Sequence, residues 1–396
     1  MTRGDVGGYG ISSTFVRLWS TTAIGARATL CHYERMVLPL VIDGHNDLPW
    51  THREAAGYDL DICDVGRAQP QLHTDIPRLR TGGVGAQFWS VYVPSRLTGD
   101  VALTATLEQV DFVHRMVERY DDLVLARTGT DVDAAMESGQ IASLLGMEGG
   151  HSINESLGTL RMMHQLGVRY MTLTHNDNVS WADSATDAPA LGGLNDFGRD
   201  VVAEMNRIGM LVDLSHVSAD VMRDALAATS APAIFSHSNA RAVCDVARNV
   251  PDDVLAKLPA NGGVCMLTFV PMFTSPGAAR WYEQCMEITA ERGLDPRSFA
   301  DLDPVMTERA MTDPPPDSTL EDVVAHIEHV RDVAGVDHIG LGGDFDGTTF
   351  VTRGLEDVGC YPDLLSALAE RGWSRDDLSK LANGNTLRVF HEAVTD

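Results

Sequence analysis

The sequence predicts an α/β chain whose strands close into a (β/α)8, TIM-type barrel. Three observations carry that expectation. Eight short apolar runs recur along the chain. Segments of helical apolar period lie between them, and most of the runs end in His, Asp or Glu. Strands alternating with helices pair in parallel through right-handed crossovers. A closed barrel is the natural solution for eight of them, and a doubly wound open sheet is the alternative.

The runs are 37–43 (VLPLVID), 85–92 (GAQFWSVY), 141–147 (IASLLGM), 168–174 (VRYMTLT), 210–214 (MLVDL), 232–236 (PAIFS), 263–269 (GVCMLTF) and 337–343 (DHIGLGG). Their length and composition fit strands buried on both faces. Between the fourth and fifth, Phe197, Val201, Val202, Met205 and Ile208 keep one helical face and Gly209 follows as a stop. Before the eighth, Leu320, Val323, Val324, Ile327 and Val330 form another face. Ser318 and Glu321 stand at capping-box spacing at its start, and it ends before Gly335.

Residues 1–35 have no clear period and read as an N-terminal extension, which leaves 36–396 as a single barrel domain. The longest interruption, 270–318, is rich in proline and follows the seventh strand. In a barrel it would stand over the C-terminal face, where such proteins keep their sites. A lid and a surface decoration are both compatible with it.

At 396 residues, with 44% hydrophobic and 22% charged residues, the chain has the composition of a soluble globular protein. Its 30 basic residues against 56 acidic ones give a net charge of −26, which disfavours nucleic acid or an anionic membrane as partner. The global sign does not constrain a small substrate. Six cysteines are scattered without a Cys-x-x-Cys pair, so they read as buried or incidental thiols. No apolar run approaches the roughly 18 residues of a membrane span. Neither terminus shows a signal peptide or an anchor signal, so a cytoplasmic protein is expected.

The strand ends carry the chemistry. His45 and Asp47 follow the first strand, and residues two apart along a strand point the same way. Glu148 and His151 follow the third, His175 and Asp177 the fourth, Asp213 and His216 the fifth, His237 the sixth, and Asp344 and Asp346 the eighth. One such histidine is usually a turn residue. A whole rim of imidazoles and carboxylates is costly to desolvate without cations. The mixture favours zinc, with manganese, cobalt or iron as other options. Five or six ligands exceed one tetrahedral site, which implies two metals about 3.5–4 Å apart sharing a bridge. The only lysines, Lys257 and Lys380, lie in helix-like segments away from strand ends, so a lysine carbamate is not the bridge. Glu148, flanked by small glycines, is the candidate.

The segments VIDGHNDLPW, GMEGGHSI, LTHNDNVSWADSA, LVDLSHVS, IFSHSNARAVC, RNVPDD and GLGGDFDG, in this order, strongly resemble the renal (membrane) dipeptidases of the amidohydrolase superfamily. The resemblance runs from about residue 37 to the end, apart from 270–318. It implies a dipeptidase with two Zn2+ per chain, bridged by Glu148 and a hydroxide that attacks the peptide bond. His45, Asp47 and Glu148 would bind one zinc, and Glu148, His216 and His237 the other. His175 would contact the scissile carbonyl and its developing oxyanion. Asp344 would accept and return the proton, and Arg248 would receive the substrate's C-terminal carboxylate. Asp346 is the rival base and reads as a supporting residue, as does His151. Asp177 and Asp183 receive no role.

The resemblance implies free-ended dipeptides, including those with a C-terminal D-residue, and a homodimer. A related amidohydrolase acting on a lactam, lactone or N-acyl amino acid is the alternative, and a non-hydrolytic metal or peptide binder is a third reading. Animal members of the family are secreted and lipid-anchored, a localisation that the termini here give no reason to transfer.

Overall fold

The computed structural model describes residues 38–394. The expected extension over 1–35 lies outside the described residues. The strands are β1 (Val41–Asn46), β2 (Val84–Tyr92), β3 (Leu123–Leu125), β4 (Ile141–Glu148), β5 (Val168–Thr172), β6 (Leu211–Asp213), β7 (Ile234–Phe235), β8 (Val264–Leu267) and β9 (Ile339–Leu341). They pair in the order β2-β1-β9-β8-β7-β6-β5-β4-β3, every pairing parallel, and β2 also pairs with β4. That last pairing, from Ala86 opposite Ala142 to Tyr92 opposite Glu148, closes eight strands into a barrel.

β3 is a ninth strand that the sequence reading did not contain. Its three residues lie against Ile141–Ser143 at the start of β4, along the edge that β5 takes over from Leu145. A run of three is too short to show any period. The first strand begins at Val41 rather than 37, after Pro39, a residue with no amide hydrogen to give a ladder.

The helix Asp196–Ile208 ends on Gly209 in the left-handed conformation (φ 74°), as its pattern predicts. The helix Leu320–Ala334 spans the predicted face, but its capping box is Thr319 with Asp322, one residue later than expected. The Ser318 hydroxyl is engaged elsewhere, 2.9 Å from Thr352 Oγ1. The 270–318 segment is largely helical, with helices Pro271–Thr274, Pro276–Glu291 and Phe299–Ala310. Trp281, Cys285, Leu302 and Met306 give it a small core of its own. The five cysteines among the described residues are buried and unpaired.

Inside the barrel the two ends differ. Ile42, Phe88, Leu144 and Ile234, from the first halves or middles of their strands, pack with Val389 and Phe390 of the helix Asn385–Ala393. Tyr170 tops this cluster, and its ring fills the space beside Gly146: a Cβ there would lie 1.9 Å from the Tyr170 Cζ. Glycine is therefore required two residues before Glu148. Beyond Tyr170 the interior turns polar. Among the described residues, no helix is long and apolar enough to cross a membrane.

Candidate metal centre

His45 and Asp47 leave β1, Glu148 is the last residue of β4, and His175 and His216 follow β5 and β6 within a few residues. His237 and Asp344 follow β7 and β9 in the same way. All seven side chains are nearly or fully buried and converge on Glu148. Its Oε1 lies 3.0 Å from His216 Nε2, 3.5 Å from His237 Nε2 and 3.8 Å from His175 Nε2. Its Oε2 lies 3.4 Å from His45 Nε2 and accepts from Ser90 Oγ at 3.0 Å. One carboxylate thus turns its two oxygens to different imidazoles. Asp47 Oδ2 is 3.4 Å from His45 Nε2.

A second layer sets how these imidazoles present themselves. The Tyr170 hydroxyl donates to the Gly44 carbonyl (3.2 Å) and so receives the His45 Nδ1–H (2.7 Å). The Nε2 lone pair of His45 then points at the carboxylates. Ser236 Oγ donates to Asp213 Oδ2 (2.6 Å) and receives the His237 Nδ1–H (2.8 Å), leaving His237 Nε2 as a lone pair too. Asp213 is held by the Ser215 and Ser236 amides (3.1 and 2.8 Å) and by Thr172 Oγ1 (2.5 Å). Imidazoles oriented through their far nitrogen by a hydroxyl or carboxylate are the usual supporting arrangement of metal ligands. The backbone joins in: His216 (φ 66°) and Asp344 (φ 61°) occupy the left-handed region that side chains rarely adopt.

The donor set fits divalent ions. His45 Nε2 and Asp47 Oδ1 are buried with no hydrogen-bond partner. His216 Nε2 and His237 Nε2 are 2.9 Å apart, a spacing that two imidazole lone pairs do not hold without a proton or a cation between them. Three overlapping groups, His45–Glu148–His237, Glu148–His175–His216 and His45–Asp47–Asp344, each bring their ligand atoms within 4.8 Å of one another. They contain all five residues read as ligands, although they do not divide them into the two sets that the resemblance implies.

Among the side chains alone, burial and mutual attraction set the charges, and His45, unlike His216 and His237, is driven toward protonation. Burial drives the Asp344 carboxyl well above the usual carboxylate range, opposed by His45 and reinforced by Asp47 and Glu148. Burial works against charge on Glu148, but His45, His216 and His175 hold it well below its usual range. Burial likewise works against protonation of His45, yet Tyr170, Glu148 and Asp47 hold it well up. Burial pushes His216 and His237 well down, as neutral ligands require. Bound cations would invert much of this balance, stabilising every carboxylate in the charged form.

Arg248 sits beside the cluster, 2% exposed. It donates to Ser238 Oγ (2.8 Å) and the His237 carbonyl (2.9 Å), its Cζ stands 5.2 Å from the Phe273 ring centroid, and Nε has no partner. Burial lowers its pKa to about 10, so it remains a cation at neutral pH. Arg248 does not pair with Asp252 or Asp253, the carboxylates that follow it most closely along the chain. Asp253 pairs with Arg223 (2.8 Å) and Asp252 with His329 (2.9 Å).

The remaining residues of interest lie further out. Asp346 Oδ1 accepts from the His73 amide (2.7 Å). His151 Nε2 lies 3.1 Å from the Val93 carbonyl, and burial lowers its pKa to about 4. Asp183 gathers the amides of Ala190, Leu191 and Gly192 at 2.7–3.2 Å and shapes that loop. Asp177 pairs with Arg297 (2.8 Å). Lys257 is exposed and Lys380 pairs with Asp337 (3.0 Å), so neither reaches the cluster. The sequence reading missed Tyr170, Ser90 and the Ser236–Asp213 support. The last two residues lie inside the quoted segments, whereas Tyr170, between Arg169 and Met171 in β5, carries no signal of its own in the sequence.

A closed barrel with a buried imidazole–carboxylate cluster at the C-terminal rim defines a barrel protein built around a metal centre. The chain belongs to the membrane dipeptidase family (peptidase family M19), whose sequence model matches residues 35–395. It is 40% identical over 360 residues to Dipeptidase 3 of Rattus norvegicus, an alignment covering 89% of this chain. The chain spans 64% of that relative's length. Among solved structures it resembles a metallo peptidase from Rhodobacter sphaeroides, liganded with a phosphinate mimic of the dipeptide L-Ala-D-Ala (TM-score 0.74, 25% identity). That match covers 90% of this chain and 99% of the other. A metallo peptidase described as dipeptidase AC gives a TM-score of 0.73 at 26% identity, with the same coverage of both chains.

Proposed function

We propose that this chain is a binuclear zinc dipeptidase that hydrolyses free-ended dipeptides, including those with a C-terminal D-residue. The observation that carries the reading is the pairing of two features: Glu148 facing imidazoles with both oxygens, and beside it a buried guanidinium with no carboxylate paired to it. A cation kept in a dry site without an anion is costly unless an anion arrives from outside. A small substrate that carries both a carboxylate and a carbonyl to be polarised answers both features.

In this reading His45, Asp47 and Glu148 hold one zinc, and Glu148, His216 and His237 the other. When bound, the ions supply Lewis-acid polarisation of the carbonyl and lower the pKa of a shared water. Arg248 receives the substrate carboxylate through its guanidinium fork. His175, whose Nε2 faces the cluster, donates to the oxygen on which negative charge develops. Asp344 accepts the proton released as the nucleophile attacks and returns it to the leaving amine. Tyr170, and Ser236 with Asp213, hold His45 and His237 in the ligating tautomer.

The test is metal analysis together with turnover of L-Xaa-L-Xaa and L-Xaa-D-Xaa dipeptide libraries by zinc-loaded protein. Close to two zinc equivalents and hydrolysis of dipeptides are expected. Hydrolysis of lactams or N-acyl amino acids without dipeptide turnover would overturn the assignment.

A further inference from the structure

Aromatic rings crowd one side of His175. The Tyr92 ring centroid is 4.8 Å from that of His175, and Trp50 meets Tyr92 edge-on at 5.3 Å. The third ring, Phe299, lies 6.1 Å from His175 and comes from the 270–318 segment rather than from a barrel strand. Trp50 and Phe299 are half-buried, as rings lining an open pocket are, and Trp50 is backed by Val93 and Ala102.

Phe299 is held where it is from both ends. Two residues before it, Arg297 pairs with Asp177 (2.8 Å) and with Asp187, and its carbonyl accepts from Asn176 Nδ2 at 3.1 Å. Those acceptors and donors belong to the loop that carries His175. One helical turn after Phe299, Asp303 bonds to Thr349 in the loop after β9, where Trp281 also packs edge-on against Phe350 at 5.5 Å. The segment therefore straddles the loops after β5 and β9.

Barrel order says which part of a substrate meets these rings. In the ring β1-β2-β4-β5-β6-β7-β8-β9, β7 stands diametrically opposite β2. Arg248 lies in the loop after β7, Tyr92 ends β2, and Trp50 lies in the helix after β1. A dipeptide anchored by its carboxylate at Arg248 extends across the barrel mouth and brings its other residue to the aromatic side.

We propose that Phe299, Tyr92 and Trp50 form the subsite for the side chain N-terminal to the scissile bond and favour apolar and aromatic residues there. Phe299 is the specificity-determining residue, and Arg297 is a positioning residue that holds it over His175. This rests on the dipeptidase reading above.

The experiment compares kcat/KM of the zinc-loaded full chain for L-Phe-L-Ala and Gly-L-Ala in the wild type, Phe299→Ala and Phe299→Leu. In Phe299→Ala the ratio of the two is expected to fall about tenfold, the factor that loss of a packed aromatic contact supplies, and to fall mainly through KM. Phe299→Leu should fall less. Arg297→Met should lower the same ratio, and Arg297→Lys, which keeps a cation for Asp177 and Asp187, should restore part of it. A purely structural role for Arg297 would act on both substrates alike and lower Tm. An unchanged ratio in either Phe299 variant, with zinc content intact, overturns the subsite and leaves the dipeptidase reading standing. No dipeptide hydrolysis by the wild type overturns that reading, and the subsite with it.

Discussion

Arg248→Met tests the substrate-binding assignment most directly. Methionine keeps an apolar stem but removes the charge, every N–H donor and the guanidinium that stands over the Phe273 ring. Two of the guanidinium's N–H groups are used inside the protein, on Ser238 and His237, and Nε has no partner. At 2% exposure the side chain is shielded from solvent screening, so the full strength of a charge-assisted contact applies. Such a hydrogen bond contributes about 1.5–3 kcal/mol, which converts to a loss in kcat/KM of roughly one to two orders of magnitude. The assay uses each dipeptide as the free acid and as its C-terminal amide. Loss on the acid should far exceed loss on the amide, which has no negative charge to place. Equal losses on acid and amide would refute the assignment, because they would show that Arg248 acts on the site without touching the carboxylate.

Glu148→Gln should disturb both metal positions at once, seen as zinc content falling toward zero rather than to one equivalent; a single ion unaffected by the change would exclude a bridge. Asp344→Asn should lower kcat by about 10²–10⁴, the usual span for a lost general acid–base, while Asp346→Asn, whose parent carboxylate is bonded to the His73 amide, should be much milder. The His326 ring lies 3.1 Å from the Ala240 amide and 2.9 Å from the Thr274 carbonyl, and burial lowers its pKa to about 4. The unfolded chain therefore takes up this proton first, and stability falls as pH drops from about 6.5 to about 4. That gap is worth on the order of 3 kcal/mol. Urea midpoints at pH 7.5 and 5 should converge for the wild type and His326→Gln on acidification; a constant difference would show that the ring does not titrate in that window.

The barrel and its rim were legible for one physical reason. Buried parallel strands write continuous apolar runs, and the residues that break each run mark the end at which chemistry is placed. His45, Glu148, His175, His216, His237 and Asp344 all announced themselves in that way, and the structure brings them together. The supporting layer was hidden because its members look like ordinary strand residues. Tyr170 reads as an aromatic strand former until its hydroxyl is seen 2.7 Å from His45, a residue 125 positions away. The capping box at Thr319 was displaced by one residue because Ser318 has a partner in Thr352, again far along the chain. The aromatic contact from Phe299 to His175 was unreadable for a third reason. Proline-rich composition marks an interruption, but it does not say where the interrupted chain returns.

The contrast between the two ends of the barrel has a consequence for how this protein can change. The apolar end, where Phe88 meets Phe390 edge-on at 5.9 Å, contributes cohesion and no chemistry. The polar end holds orphaned nitrogens and left-handed backbone at His216 and Asp344, features that weaken an empty fold. Selection can therefore act on thermal resilience through one set of positions and on substrate choice through another, with little interference between them. Tyr170 is a point where the two meet, since the ring that tops the apolar packing also carries the hydroxyl that orients His45. Substitution there would register in both properties at once.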